Sequence, residues 1–295
     1  MDLVRALVAD AAVTANEMWS AVGTWARRQR SAEATERCGL LGLGFARFPQ
    51  EPVAHLRDPV SIRHGVTRPR SRGRKPLVVD LTSLWAGPLC ANLLGLTDVD
   101  VVRVESKQRR AGAQPVPSAF SDLLHRGHDS VVLDFESAVE LELLHELVFN
   151  ADLVLEASRA RALAQLGFDA DRAVANGTSW LSITARGRTS NTIGFGDDVA
   201  ADGGLVLWYA DEPVVCGDAL GDPLSGVVAA AAASEALISD HTQLIDVSMV
   251  DICRAAAQGP TEPHQVIDEE GKWWVRTRTA RFPVLEPRVR GRSTD

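Results

Sequence analysis

A chain of 295 residues that is 45% hydrophobic and 24% charged can build one large domain or two modest ones around a true core, which excludes a disordered or fibrous protein. Its formal charge of -8, from 31 basic and 39 acidic residues, argues against a general nucleic-acid binder. Cys38, Cys90, Cys216 and Cys253 lack the spacing of a disulfide framework or a zinc site, and no apolar run reaches membrane-spanning length. With Asp2 and Arg5 at its start the chain does not read as secretory, so a cytoplasmic protein with no metal site and no membrane partner is expected.

Residues 1 to about 67 read as a helical N-terminal region. Val4, Leu7, Val8 and Ala11 share a helical face, Met18, Trp19 and Trp25 follow, and Ser31–Leu43 resembles a capped helix with Ser31 as N-cap and Gly39 or Gly42 near its end. Residues 68–76, rich in arginine with two flanking prolines, read as an exposed basic linker. From Leu77 strands and helices alternate. Leu77–Val79 is an apolar run without alternation, which suits a strand buried on both faces. Ala86-Gly87 permits a tight turn, Pro88 fits a first helical turn, and Leu89, Leu93 and Leu94 recur at helical spacing. Val99, Val101, Val102 and Val104 make a β-branched strand. Further strands are predicted at Ser130–Leu133, Leu153–Leu155, Trp180–Thr184 and Leu244–Val247. Helices are predicted at Val139–Val148, Ala160–Leu166 and Asp218–Leu237. The fold class is therefore α/β, a Rossmann-like parallel sheet with flanking helices over 77–251, whose ligands would sit beyond the carboxyl ends of the strands.

Several segments, in order, resemble class III coenzyme A transferases, the group that includes formyl-, carnitine- and succinyl-CoA transferases and 2-methylacyl-CoA racemases. The opening Leu77–Leu94 and Val99–Glu105 are similar to the family's first strand, turn and second strand. Leu124–Asp134 resembles its Asn-Arg-Gly-Lys-Arg-Ser strand approach, and Leu155–Gly167 its Glu-Asn-Phe-Arg-Pro-Gly segment. Gly194–Leu205 falls where the family places its catalytic aspartate, and Gly221–Ala230 resembles Ala-Asp-Pro-x-Thr-Gly-x-x-Ala-Ala. Three features depart from the pattern: Ser106–Gln114 replaces a Pro and Gly-Asp continuation, His125 stands for the asparagine, and no glycine-rich loop follows Asp251. The resemblance thus implies a reduced or rearranged member, with 252–295 as a truncated small domain and Ser31–Leu43 similar to a small-domain helix placed at the front.

What the resemblance implies is transfer of CoA between carboxylic acids, with CoA or acyl-CoA as substrate and no permanently bound cofactor. An aspartate would attack the thioester, and Asp197 and Asp198 are the candidates; spacing back from Gly204 favours Asp197. A carboxylate pair ahead of a helix is equally read as an N-terminal cap. For CoA, Arg103, Arg126, His128, Arg159 and Gly87 are the candidates, while Arg109, Arg110 and Arg161 read as solvated charges. Partners would be an acyl-CoA, a carboxylic acid, and either a second copy of the chain or a full-length paralogue. A non-catalytic CoA-ester-binding subunit and an acyl-CoA racemase are the alternatives.

Overall fold

The computed structural model describes residues 1–47, 57–68, 73–110, 119–158, 160–210, 212–259 and 263–285. Helices α1 (Asp2–Val8), α2 (Met18–Ala26) and α3 (Ser31–Leu41) form an N-terminal group around buried Leu7, Val13, Ala34 and Cys38. Arg37 ties α3 back to α1 by donating to the carbonyls of Leu7 and Ala6 at 2.6 and 2.5 Å. The N-cap of α3 is Arg30 rather than Ser31, and the helix ends on Gly42 at φ +64°.

The expected all-helical region 1–67 is corrected at its end: Val60–Thr67 is strand β1. Val60, Ile62 and Val66 alternate with polar residues, the period of a strand, and the segment pairs antiparallel with a later strand at the sheet edge. The chain continues through β2 (Leu77–Asp80), α4 (Ala86–Gly95), β3 (Asp100–Ser106), the single turn α5 (Lys107–Arg110), α6 (Ala119–His125), β4 (Asp129–Leu133) and α7 (Ala138–Asn150). It then runs through β5 (Leu153–Glu156), α8 (Ala160–Gln165), α9 (Ala170–Ala175), β6 (Ser179–Thr184), α10 (Gly196–Gly203) and the hairpin β7 (Val206–Tyr209) and β8 (Glu212–Val215). The last elements are α11 (Gly221–Ile238), β9 (His241–Ser248), α12 (Met249–Gln258) and a small antiparallel sheet of β10 (His264–Glu269), β11 (Lys272–Thr277) and β12 (Arg281–Pro283).

The main sheet has the order β1-β9-β6-β5-β2-β3-β4, with every pairing parallel except β1 with β9. From β2 the chain steps outward to β3 and β4, then returns to the other side of β2 with β5, β6 and β9. That reversal opens a crevice at the carboxyl ends of β2 and β5, where a ligand can enter between diverging loops.

Successive strand residues feed opposite cores. Val78, Leu153, Leu155, Leu181, Ile183, Ile245 and Val247 pack with α4, α10, α11 and α12; Val79, Val154, Trp180 and Leu244 pack with α7 and α9. This double burial explains the apolar runs without alternation. The α11 alanines 229, 233 and 236 are fully buried, and their small side chains let that helix lie close to the sheet and to α4.

In the expected basic linker, Gly73, Arg74 and Lys75 are exposed, while the arginines on either side of 69–72 are anchored. Arg74 donates to both oxygens of Asp152 at 2.6 and 3.1 Å, and Arg68 pairs with Asp152 at 3.2 Å. The same carboxylate accepts the Leu77 N–H at 2.8 Å. A carboxylate left buried without partners would be costly, so these arginines, Arg74 still half-exposed, are drawn onto the head of β5.

Candidate active site

The carboxyl edge of the sheet gathers carboxylates and the starts of several helices. Asp197 and Asp198 open α10. Asp198 is half-buried, and its Oδ1 accepts the N–H of Phe195 at 2.7 Å, closing the first turn of the helix. Its Oδ2 is buried with no hydrogen-bond partner among the described residues. Burial raises its carboxyl above the ordinary range, against the opposing pull of the Phe195 N–H and the Arg186 charge. Asp197 is exposed, and its Oδ1 accepts the N–H of Ala219 at 2.8 Å. Ala219 holds φ +47°, a left-handed conformation unfavourable to a residue with a Cβ, so the loop donating to Asp197 carries local strain.

Asp222, in the first turn of α11, completes this cluster. It accepts the N–H of Gly196 at 3.0 Å, and the N–H of Ala86 faces it. Burial raises its carboxyl; the Gly196 and Ala86 N–H groups oppose the shift, and the neighbouring Asp197 and Asp198 charges add to it. Gly196 is required by space: a Cβ there would stand 2.3 Å from the Ala219 carbonyl oxygen and 2.4 Å from Asp222 Oδ2.

Behind the cluster, ion pairs fix the loops after β6 and β9. Arg186 donates through Nε to Asp202 at 2.8 Å and through Nη2 to the Phe45 carbonyl at 2.7 Å. Arg254 bridges Asp202 and Asp251, and Ser248 donates to Asp251 at 2.7 Å. The Phe45 contact, with Gly44 lying against Asp198, brings the N-terminal segment to the site. At the end of β5, buried Glu156 accepts from Ser182 at 2.6 Å and from Arg188 at 3.2 Å.

The residues expected to meet CoA are not all alike. Val102 stands level with both Val79 and Asp129, so the start of β4 is level with the end of β2 across β3. This offset brings His125 and His128 to Arg103. The two imidazoles are 6.5 Å apart by ring centroid, and His128 packs against Gly95. Arg103 is paired with Glu105 at 2.6 Å, so part of its charge is already answered. His125 is held neutral: burial, then the Arg103 and His128 charges, push it down to about 4. Arg126 points outward and is exposed. Gly87 is buried, and a Cβ on it would strike the Thr82 side chain at 2.2 Å, so close packing explains this glycine directly. Arg159 lies outside the described residues, as do the side chains of Arg109, Arg110 and Arg161.

Sequence reasoning passed over Asp222, Arg186, Arg188 and Glu156. Asp222 did carry a signal, an acid directly before Pro223 at a helix start. The others carried none, because their roles depend on which strand ends become neighbours.

The mostly parallel sheet with its reversal at β2, and a carboxylate cluster beyond the strand ends, define a Rossmann-like α/β protein with a candidate site at its carboxyl edge. The chain belongs to CoA-transferase family III, whose family model matches residues 76–271. It is 26% identical over 200 residues to the succinate–glutarate CoA-transferase of Agrobacterium fabrum, covering 59% of this chain and 50% of that protein. It is 27% identical over 193 residues to the succinyl-CoA–D-citramalate CoA-transferase of Chloroflexus aurantiacus, covering 59% and 48%. The chain thus spans about half the length of these curated relatives. Among solved structures, a hypothetical protein of Mycobacterium tuberculosis matches with a TM-score of 0.59 and 24% identity over 72% of this chain and 66% of that one. A CAIB/BAIF family protein of Brucella suis matches at 0.55 and 23%, over 68% and 65%. Both likenesses concern the fold. Among the described residues no helix is long and apolar enough to cross a membrane.

Proposed function

We propose that this chain moves CoA from an acyl-CoA to a second carboxylic acid with Asp197 as the nucleophile. The observation that carries the reading is the placement of Asp197 within the family-matched segment: exposed at the start of α10, with one oxygen held by the Ala219 N–H. Asp198 is instead the helix cap, because its Oδ1 is committed to Phe195.

The Asp197 carboxylate adds to the thioester carbonyl, the C–S bond breaks, and CoA leaves as a thiolate from a mixed anhydride. The thiolate then attacks the aspartyl carbonyl and releases the donor acid as its carboxylate, leaving an aspartyl-CoA thioester. The acceptor carboxylate attacks that thioester, and the returning thiolate takes the acceptor acyl group and frees Asp197. No net proton or electron is exchanged. A carboxylate is a weak nucleophile, so positioning and exclusion of water must supply the rate. For CoA, Arg103 and His128 with the neighbouring His125 are the proposed contacts near the ends of β2 and β3. Arg126 and Arg159 are proposed for its phosphates.

The test is CoA transfer with succinyl-CoA as donor and glutarate as acceptor, the acids named by the relatives, with other acyl-CoAs alongside. Asp197→Ala is expected to lose about a thousandfold or more in turnover while still binding CoA by calorimetry. Asp198→Ala is expected to lose about 1 kcal/mol of stability, as for a lost cap, and far less turnover. If the Asp198 variant alone is dead, the two roles are exchanged. Acyl-CoA binding with no turnover of any donor would favour a non-catalytic CoA-ester-binding subunit. Exchange of the proton next to the thioester without CoA transfer would favour racemisation.

A further inference from the structure

Asp222 has no part in the chemistry just described, yet it occupies an unusual junction. Ala86 is the first residue of α4, Gly196 the first of α10, and Asp222 itself lies in the first turn of α11. One carboxylate therefore accepts the first N–H of α10 and faces that of α4 while sitting at the start of a third helix. First-turn N–H groups have no partner within their own helix, and three helix N-termini meeting without an acceptor would leave donors unsatisfied and positive dipole ends facing one another. The packing leaves no slack. Besides the Gly196 contacts, a Cβ on Gly221 would stand 2.7 Å from the Gly196 carbonyl oxygen and 2.5 Å from Val199. The two halves of the junction are also linked twice: Gly196 N–H to Asp222 in one direction, Ala219 N–H to Asp197 in the other.

We infer that Asp222 is a positioning residue: its carboxylate locks the first turns of α4, α10 and α11 together and so fixes the point from which Asp197 projects. The inference rests on the reading of Asp197 as nucleophile. The clamp holds the backbone that carries Asp197 and touches neither the acyl group nor CoA.

The experiment uses the full chain with Asp222→Ala, Asp222→Asn and Asp222→Glu. Amide hydrogen exchange at Gly196 and Ala86 reads the clamp without any need for activity. The alanine variant is expected to lose about tenfold in protection at both amides, and the asparagine variant less, because its carboxamide oxygen still accepts. With succinyl-CoA as the probe, formation of the Asp197 adduct, trapped with hydroxylamine and located by mass spectrometry, reads the positioning. The saturating rate is expected to fall about a hundredfold in Asp222→Ala, as for a nucleophile displaced by about 1 Å, with the half-saturating succinyl-CoA concentration nearly unchanged and partial rescue in Asp222→Asn. Asp222→Glu, one methylene longer in a space without slack, is expected to behave like the alanine variant. Unchanged exchange at Gly196 and Ala86, or a rate and half-saturation that move together, would overturn the inference. No Asp197 adduct in the unsubstituted chain, with the exchange change intact, would overturn the nucleophile reading while leaving the clamp in place.

Discussion

His125 shows how a single substitution in a family pattern changes the chemistry available. The resemblance implies an asparagine there; this chain carries a half-buried imidazole, 6.5 Å from the His128 ring by centroid and kept neutral. Its folded pKa, about 4, lies below the unfolded value near 6.5. The sign follows: the unfolded chain takes up the proton first, so this residue's contribution is fully present above about pH 6.5 and is lost as the pH falls toward 4. Replacing His125 with asparagine should therefore flatten the decline in stability over that window, measured as the urea midpoint at pH 7, 5.5 and 4.5. A variant that declines as steeply as the unsubstituted protein would rule the assignment out. Ala219 offers a second such case. Its left-handed backbone would suit glycine better, yet it is the residue whose N–H holds Asp197.

Asp152 is the clearest example of an element held by its end. It lies just ahead of β5, and its carboxylate gathers the Leu77 N–H at the head of β2 with the Arg68 and Arg74 guanidinium groups. The chain leading out of β1 and into β2 is thereby fastened to a central strand. Asp152→Ala would leave Arg68, which is largely buried, without its partner, and is expected to cost about 3 kcal/mol in denaturant unfolding. A loss below 1 kcal/mol would show the arginines to be mere surface charges. Helix α10 differs in kind, because its C-terminus is pressed on α12 through Gly203 and Cys253 while its N-terminus meets the start of α11. It is thus held at both ends, which is what a helix presenting a nucleophile requires.

Across the molecule, burial grades from the middle of the sheet outward. Val78, Val79, Leu153, Val154, Leu155 and Leu181 are fully buried on β2, β5 and β6, whereas α2 has no buried residue. Local opening should follow that gradient, so backbone amides of β5 should exchange slowest and those of α1 to α3 fastest in native-state hydrogen exchange. Equal protection of α2 and β5 would show the N-terminal helices to be integral to the sheet domain. The carboxyl edge stands between these extremes: rigid strands deliver residues to loops that are cross-braced by Arg186, Arg188 and Arg254.

The sequence alone determined the alternation of strands and helices from Leu77, because apolar runs, β-branched residues and helix-start signals act over a few neighbouring positions. It also carried the family likeness and the location of the Asp197–Asp198 pair, since those are ordered patterns along the chain. It did not reveal that 60–67 pairs as an edge strand, that the arginines at 68 and 74 converge on Asp152, or that His125 and His128 reach Arg103 through the offset of β3 and β4. It favoured Asp197 by spacing alone, without the hydrogen bonds that distinguish the pair, Asp198 to Phe195 three residues away and Asp197 to Ala219 across 22 residues. Contacts between distant segments follow from strand order and register, and those are set by burial of the whole sheet rather than by any local run of residues.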